Sequence, residues 1–160
     1  MFQINTCNKK FIYKPYPIGN LINLIDPKIY DKLVDEFPKK ELFEFKKDLG
    51  KKFSLSEINN RKIYFNLIKT NKLWSMFFKY IKSDKFKDEV FRMLKQNNID
   101  LGLIEDETKL NKVGFKENFK NFFRRRKKIN SRFEFSMMSA DEGHILPHTD
   151  SSHKLITIVI

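Results

Sequence analysis

Apolar residues recur at helical spacing in three stretches of the first hundred residues. The first stretch begins at Asp26 and Pro27. An aspartate can accept hydrogen bonds from the free amides of a first helical turn, and proline suits that turn. Pro38 should stop the helix, because proline cannot continue one. The predicted buried face consists of Ile29, Tyr30, Leu33, Val34 and Phe37.

The second and third stretches lie closer to the middle of the chain. Ser54 and Glu57 have the spacing of a capping box and predict a helix start. Ser83 precedes the third stretch, and the polar run 96–98 closes it. We therefore expect the first hundred residues to be mainly helical. The two apolar stripes are Leu73, Trp74, Phe77, Phe78 and Ile81, followed by Phe86, Val90, Phe91 and Leu94.

The pattern changes near Arg132, where apolar and polar residues begin to alternate. Phe133, Phe135 and Met137 alternate with polar neighbours, which predicts a half-buried strand that ends around Ser139. The continuous apolar run 155–160 predicts a second strand, covered on both faces. Such a strand at an open end would leave an unpaired edge, so we expect the sequence to be incomplete.

The composition indicates one globular domain with a packed aromatic core. The 160 residues suffice for one core, 41% of them are hydrophobic, and 17 are phenylalanines. The single cysteine, Cys7, excludes an internal disulfide and fits a reducing compartment. We find no signal sequence and no apolar stretch of about 18 residues, the length of a membrane span. The expected location is the cytoplasm, without a membrane partner.

The formal net charge of +12 allows two interpretations. Clustered cations bind nucleic acid by releasing its counterions, so a basic nucleic-acid-binding or interaction module is one hypothesis. Lysine is nevertheless spread along the whole chain, which favours a bias of composition. The concentrated run 124–128 could contact phosphate or an acidic substrate, although we favour a solvated connector.

The candidate chemistry lies between the two predicted strands. In extended chain, residues two apart project to the same side, so His148 and Asp150 can converge on one ion while Thr149 points away. An imidazole and a carboxylate suit Fe(II), and a distant histidine would complete a facial triad. The alternative makes His148 a hydrogen-bonded loop residue and Asp150 a turn former. His144 is expected beside the ligands or at the surface, and His153 in a loop.

The segment 143–160 resembles the metal-binding stretch of the prolyl-hydroxylase-like, 2-oxoglutarate and Fe(II)-dependent oxygenases. That stretch reads Gly, a few residues, Pro-His-x-Asp, then Lys and an apolar strand that contains Thr. The strand at 132–138 resembles the lead-in strand of the family, and the helical stretch 26–43 resembles its N-terminal support layer. The matching positions, in order, are Gly143, Pro147, His148, Asp150, Lys154 and Thr157.

The resemblance implies an α+β fold in which N-terminal helices pack on the first strands of a double-stranded β-helix (jelly roll), incomplete at the C-terminus. Residues 1–160 would form a single domain, with 1–125 as a mainly helical support region and 130–160 as the start of the jelly roll. It implies an oxygenase that hydroxylates an unidentified protein side chain or small molecule, with nucleic acid as a less favoured partner. The cofactor would be Fe(II), held by His148, Asp150 and a later histidine. The co-substrate would be 2-oxoglutarate, and ascorbate is compatible as a reductant.

Three departures from the family pattern limit what can be carried over. The later histidine is not among these residues, and neither is the basic residue that grips the distal carboxylate of 2-oxoglutarate. Ile145 stands where collagen-type prolyl hydroxylases usually carry a tyrosine that contacts 2-oxoglutarate, so that contact and proline as substrate are not carried over. We expect the isolated chain to be inactive.

Overall fold

The computed structural model describes residues 2–5, 9–47, 50–99, 101, 129–140 and 154–160. Within these ranges the chain is mixed α and β, with a short 3-10 helix at Lys40–Leu42. The four α-helices are α1 Pro27–Asp35, α2 Arg61–Thr70, α3 Lys72–Lys82 and α4 Asp84–Gln96. The five strands are β1 Lys9–Ile12, β2 Ile18–Leu21, β3 Glu44–Lys46, β4 Lys52–Ser56 and β5 Glu134–Met138.

Helix α1 begins as its sequence predicts. The side chain of Asp26 accepts a hydrogen bond from the amide of Ile29 at 3.2 Å, and Pro27 occupies the first helical position. The helix ends at Asp35, ahead of Pro38, because the residue before a proline is disfavoured in helical conformation. Leu33 is buried against the core, whereas Val34 on the predicted face remains 52% exposed.

Helices α3 and α4 are also confirmed, and each is capped by a side chain. Asn71 accepts a hydrogen bond from the amide of Trp74 at 2.9 Å, and Ser83 accepts one from the amide of Phe86 at 3.2 Å. Such caps satisfy amides that have no partner within the helix. Six residues of the predicted stripes are buried: Trp74, Phe77, Ile81, Phe86, Val90 and Leu94. Leu73, Phe78 and Phe91 are half-buried, and Tyr80 and Met93 are buried although they were not predicted.

The predicted strand around Phe135 is confirmed as β5. It pairs antiparallel with β4, which pairs antiparallel with β3, so β4 is the central strand. Leu55 lies opposite Phe135, and both are almost completely buried beneath α2 and α3. A second sheet is the hairpin of β1 and β2. Neither sheet closes on itself within the described residues.

The core between the sheet and the helices is dominated by aromatic rings, as the composition predicts. Phe135 meets Trp74 edge to face at 4.6 Å between ring centroids and Tyr64 at 6.1 Å. Phe133 stacks on Trp74 at 5.9 Å. Edge-to-face pairs stabilise beyond the area that they bury, so these contacts hold β5 against the helices.

The capping-box prediction at Ser54 and Glu57 is wrong. Ser54 lies in β4, and α2 begins only at Arg61. The Ser54 hydroxyl instead accepts a hydrogen bond from the side chain of Asn59 at 2.9 Å, and that of Ser56 accepts one from the amide of Asn59 at 3.0 Å. These bonds fold the segment into a turn that closes the end of β4.

Two further expectations need correction. Besides the four helices, the first hundred residues contain the four strands β1 to β4, which the sequence pattern did not predict. The run 155–160 forms no strand, and Val159 is 89% exposed. Ile156 is the residue of this run that packs, half-buried, against the core. Without a neighbouring strand in the described residues, the run has no ladder of hydrogen bonds to join.

Candidate functional site

The predicted metal ligands His148 and Asp150 lie outside the described residues, as do Gly143, His144, Pro147 and His153. The structure describes the chain on either side of them. Strand β5 ends at Met138 before the motif, and an exposed Lys154 resumes the chain after it. Among the described residues there is no group of three or more His, Cys, Asp or Glu side chains that could hold a metal ion.

The strand that leads to the motif has two unlike faces. Phe135 turns towards the helices, whereas Ser136 is exposed on the opposite face. Ser54 and Ser56 of β4 lie opposite Ser136 and Glu134, so the same face continues across the neighbouring strand. The face of the sheet away from the helices is therefore mainly polar, with Ser136 exposed on it and Ser54 and Ser56 buried.

Glu134 is the best-connected group on this polar face. Its carboxylate lies 2.6 Å from the Lys52 ammonium and 2.9 Å from the Arg132 guanidinium. Burial by itself raises the pKa of Glu134. The hydrogen bond from Lys52, with that from Ser54 and the two positive charges, outweighs burial and holds the pKa below its usual range. Glu134 therefore stays ionised and fixes the start of β5.

A cleft of about 420 Å³ opens beside the start of β5. Its cations come from separate elements: Arg61 from α2, Lys82 from α3, Lys87 from α4, and Arg132 from the segment before β5. Glu57 is the carboxylate in the lining. The remaining lining residues are Ile58, Asn130 and Ser131.

Lysine side chains from two helices fix the wall of this cleft. The Lys82 ammonium pairs with Glu57 and donates a hydrogen bond to the carbonyl of Ser131 at 2.5 Å. The Lys87 ammonium lies 2.5 Å from the Asp84 carboxylate and 3.4 Å from the carbonyl of Ile129. The Ser131 hydroxyl donates to the carbonyl of Ile81 at 2.6 Å. Segment 129–131 is thus tied to α3 and α4.

The two arginines of the cleft also have defined positions. The Arg61 guanidinium donates to the carbonyl of Glu57 at 3.1 Å and lies 5.0 Å from the ring centroid of Phe65. A guanidinium has five N–H donors. An arginine that stacks on a ring and donates one hydrogen bond therefore has further N–H groups that can bind a ligand. Arg132 pairs with Glu134 through one guanidinium nitrogen.

Sequence reasoning missed this cleft. The spread of lysine along the chain indicated a composition bias, and the four cations come from three separate parts of the sequence, since Lys82 and Lys87 are neighbours but Arg61 and Arg132 are distant. No local motif joins them, since only the packing of the helices on β5 brings them together. Taken one at a time, these lysines and arginines do not differ from the many other cations of the sequence, so none of them indicated a cleft.

No protein-family model matches the chain, and neither a curated protein nor a solved structure shows significant similarity to it. Within the described ranges, no helix combines the length and apolar character needed to cross a membrane.

Proposed function

We propose that this chain carries part of the iron site of a 2-oxoglutarate-dependent oxygenase, with His148 and Asp150 as two metal ligands. The observation that carries the proposal is the ordered series from Gly143 through Pro147, His148 and Asp150 to Lys154 and Thr157. This series follows directly on β5, the strand expected to lead into it. The competing interpretation, a loop histidine beside a turn aspartate, explains neither the flanking residues nor their order.

The layer order around β5 supports the proposal. In a double-sheet jelly roll, each sheet has one face turned to the other sheet and one face turned outwards. Helices α2 and α3 cover the Phe135 face of the three-stranded sheet. The polar face with Ser136 is turned away from them. Helices that buttress one side and a second sheet on the other are the arrangement that the family resemblance implies.

The chemistry of the donor set fits Fe(II). Imidazole nitrogen and carboxylate oxygen are two of the three ligands of a facial triad, which leaves metal positions open for a co-substrate. When bound, iron would supply the activation of O2, so that one oxygen atom hydroxylates a C–H bond while the other is taken up as 2-oxoglutarate becomes succinate and carbon dioxide. The chain's own contribution would be the two side chains themselves, whose spacing in the sequence predicts that they project to the same side of the backbone.

Strand β5, which precedes the proposed ligand segment, is firmly attached to the rest of the protein. A ligand set works only when its elements hold it to within about half an ångström. The edge-to-face contact of Phe135 with Trp74 and the ion pair of Glu134 with Lys52 fix β5 at both faces. The segment with the ligands therefore starts from a strand of defined position.

The test measures succinate formed from 2-oxoglutarate with Fe(II) and ascorbate. It uses protein expressed from the full-length gene, beside residues 1–160 alone, because the resemblance implies a third ligand from a later histidine. We expect turnover in the former and none in the latter. His148→Ala and Asp150→Ala should each abolish turnover and lower the Fe(II) retained after equilibrium dialysis, since two ligands hold iron weakly.

Matched controls come from the same segment. His153→Ala and Asp141→Ala remove one imidazole and one carboxylate that the proposal does not assign to the metal, and both should retain turnover and iron. Loss of iron in all four variants would indicate a general effect on folding. Absence of iron-dependent turnover in the natural full-length protein would overturn the proposal.

A further inference from the structure

We propose that the cleft lined by Arg61, Lys82, Lys87 and Arg132 binds phosphate groups. This inference is independent of the oxygenase proposal, because none of these residues belongs to the predicted iron site. It follows from the charge of the cleft lining, from the exposed ion pair of Lys87 and from the shape of the guanidinium groups. The class of ligand is a phosphate ester, free or in a nucleic-acid backbone.

The lining of the cleft carries more positive than negative charge. Four cationic side chains face one carboxylate, that of Glu57. The ion pair with Lys82 neutralises Glu57. Lys87 and Arg132 pair with acids outside the lining, Asp84 and Glu134, and Glu134 is shared with Lys52. The cations drawn from three helices and the segment before β5 therefore still outnumber the acids beside them and repel one another. A phosphate dianion placed among Arg61, Lys87 and Arg132 would remove that repulsion.

Asp84, the acid that pairs with Lys87 from outside the cleft lining, is easily replaced. Asp84, the partner of Lys87, has a side chain that is 90% exposed. Such an exposed ion pair contributes little, because water screens it. Lys87 itself is only 22% exposed and is held towards the carbonyl of Ile129. An incoming phosphate can therefore take over the Lys87 ammonium while Asp84 returns to water.

The guanidinium groups of the cleft have a shape that suits phosphate. A guanidinium presents N–H groups in a planar fork that matches two phosphate oxygens. Stacking on Phe65 limits the freedom of Arg61, so less entropy is lost when it binds. Ile58, which is 68% exposed, gives the cleft an apolar rim. A phosphate joined to an organic group fits this combination better than a free ion.

The test titrates the 160-residue chain with pyrophosphate by calorimetry and follows the amide resonances of the cleft by NMR. We expect shifts at Arg61, Ser131 and Arg132. Arg61→Gln and Lys87→Gln should each weaken pyrophosphate binding about tenfold, the effect of losing one charged contact worth about 1.4 kcal/mol. Arg61→Lys should also weaken binding, since it keeps the charge and loses the fork.

Two variants of α4 provide matched controls. Arg92→Gln and Lys95→Gln remove the same charges from exposed positions outside the cleft lining and should leave binding unchanged. All variants are first compared by circular dichroism. Equal weakening in the cleft and control variants would mean that only net charge matters and would overturn the proposal. Failure of the natural chain to bind pyrophosphate, or equal binding of succinate, would do the same.

A second titration distinguishes the two sources of phosphate. A fluorescently labelled single-stranded oligonucleotide that binds, is displaced by pyrophosphate and loses affinity in Arg61→Gln indicates a nucleic-acid backbone. Its affinity should then fall steeply with salt, because bound phosphates release counterions. Pyrophosphate binding without oligonucleotide binding indicates a small phosphorylated ligand. Both results support a phosphate site, and they differ only in the molecule that carries the phosphate.

Discussion

The hydroxyl of Tyr64 in α2 donates a hydrogen bond to the carbonyl oxygen of Phe133 at 3.1 Å, although the two residues are 69 positions apart in the chain. Tyr64 is fully buried. Burial, together with the nearby carboxylates of Glu57 and Glu134, raises its pKa, so the hydroxyl keeps its proton at physiological pH. This bond joins the helical layer to the chain at the start of β5.

Removal of this hydroxyl should destabilise the protein. Tyr64→Phe leaves a carbonyl without its donor, and we expect the free energy of unfolding to fall by about 1 kcal/mol in urea denaturation followed by circular dichroism. Tyr13→Phe is the control, since its hydroxyl donates to the carbonyl of Asn97 at an exposed position. A loss in Tyr13→Phe as large as that in Tyr64→Phe would contradict the assigned role.

Phe135 should be the most sensitive position of β5. It is 2% exposed and meets the rings of Trp74 and Tyr64. Phe135→Ala removes these contacts and leaves a cavity, so the expected cost is about 3–5 kcal/mol. Phe45→Ala in the same sheet is the control, because Phe45 is 49% exposed and its loss should cost roughly 1 kcal/mol or less. Chemical denaturation measures both.

The ion pairs of Glu134 predict a dependence of stability on pH. The pKa of Glu134 in the folded state lies below the usual range of a glutamate carboxyl. A carboxylate with a lowered folded pKa stabilises above its unfolded pKa and loses this contribution as the pH falls through the folded pKa. Glu134→Gln should therefore cost about 1 kcal/mol at pH 7, and the difference should vanish well below pH 4.5.

The measurement is a series of urea titrations between pH 7 and pH 3. Glu41→Gln removes the same charge from an exposed position and serves as the control. A difference between natural protein and Glu134→Gln that stays constant over the whole series would mean that the carboxylate is not held ionised by its neighbours.

The N-cap of α1 should contribute a measurable share of stability. Asp26→Ala removes the acceptor of the Ile29 amide, and the expected loss is about 1 kcal/mol. Asp31→Ala in the same helix removes an equal charge at an exposed position that is not a cap. In thermal unfolding, the Tm of Asp26→Ala should be clearly lower than the Tm of Asp31→Ala.

The helices that periodicity and caps define were predictable from the sequence. Asp26 and Ser83 each sit directly before an amphipathic stretch, so local hydrogen bonding and burial favour the same structure. Strand β5 was predictable for the same reason, because Phe133, Phe135 and Met137 alternate with polar residues over a sufficient length. The cap of α3 was not predicted, because the helix start was assigned to Ser54 and Glu57, whereas Asn71 caps the helix.

The remaining strands were missed because their signals are short or conflict with a stronger one. In β4, Phe53 and Leu55 do alternate with polar residues, but Ser54 and Glu57 have the spacing of a helix cap. The conflict is decided by pairing with β3 and β5, which sequence spacing does not reveal. For the proposed iron site, the spacing of His148 and Asp150 predicts two ligands, and the third ligand that the proposal requires belongs to no local motif.

The position of Trp74 gives the protein a built-in optical probe. Its indole N–H donates to the carbonyl of Glu36 at 2.7 Å, and its ring meets Phe135 edge to face. It is the single tryptophan of the chain. Since indole emission depends on local polarity, one fluorescence signal reports whether α1, α3 and β5 are docked together. Detachment of the sheet from the helices would therefore be visible without any label.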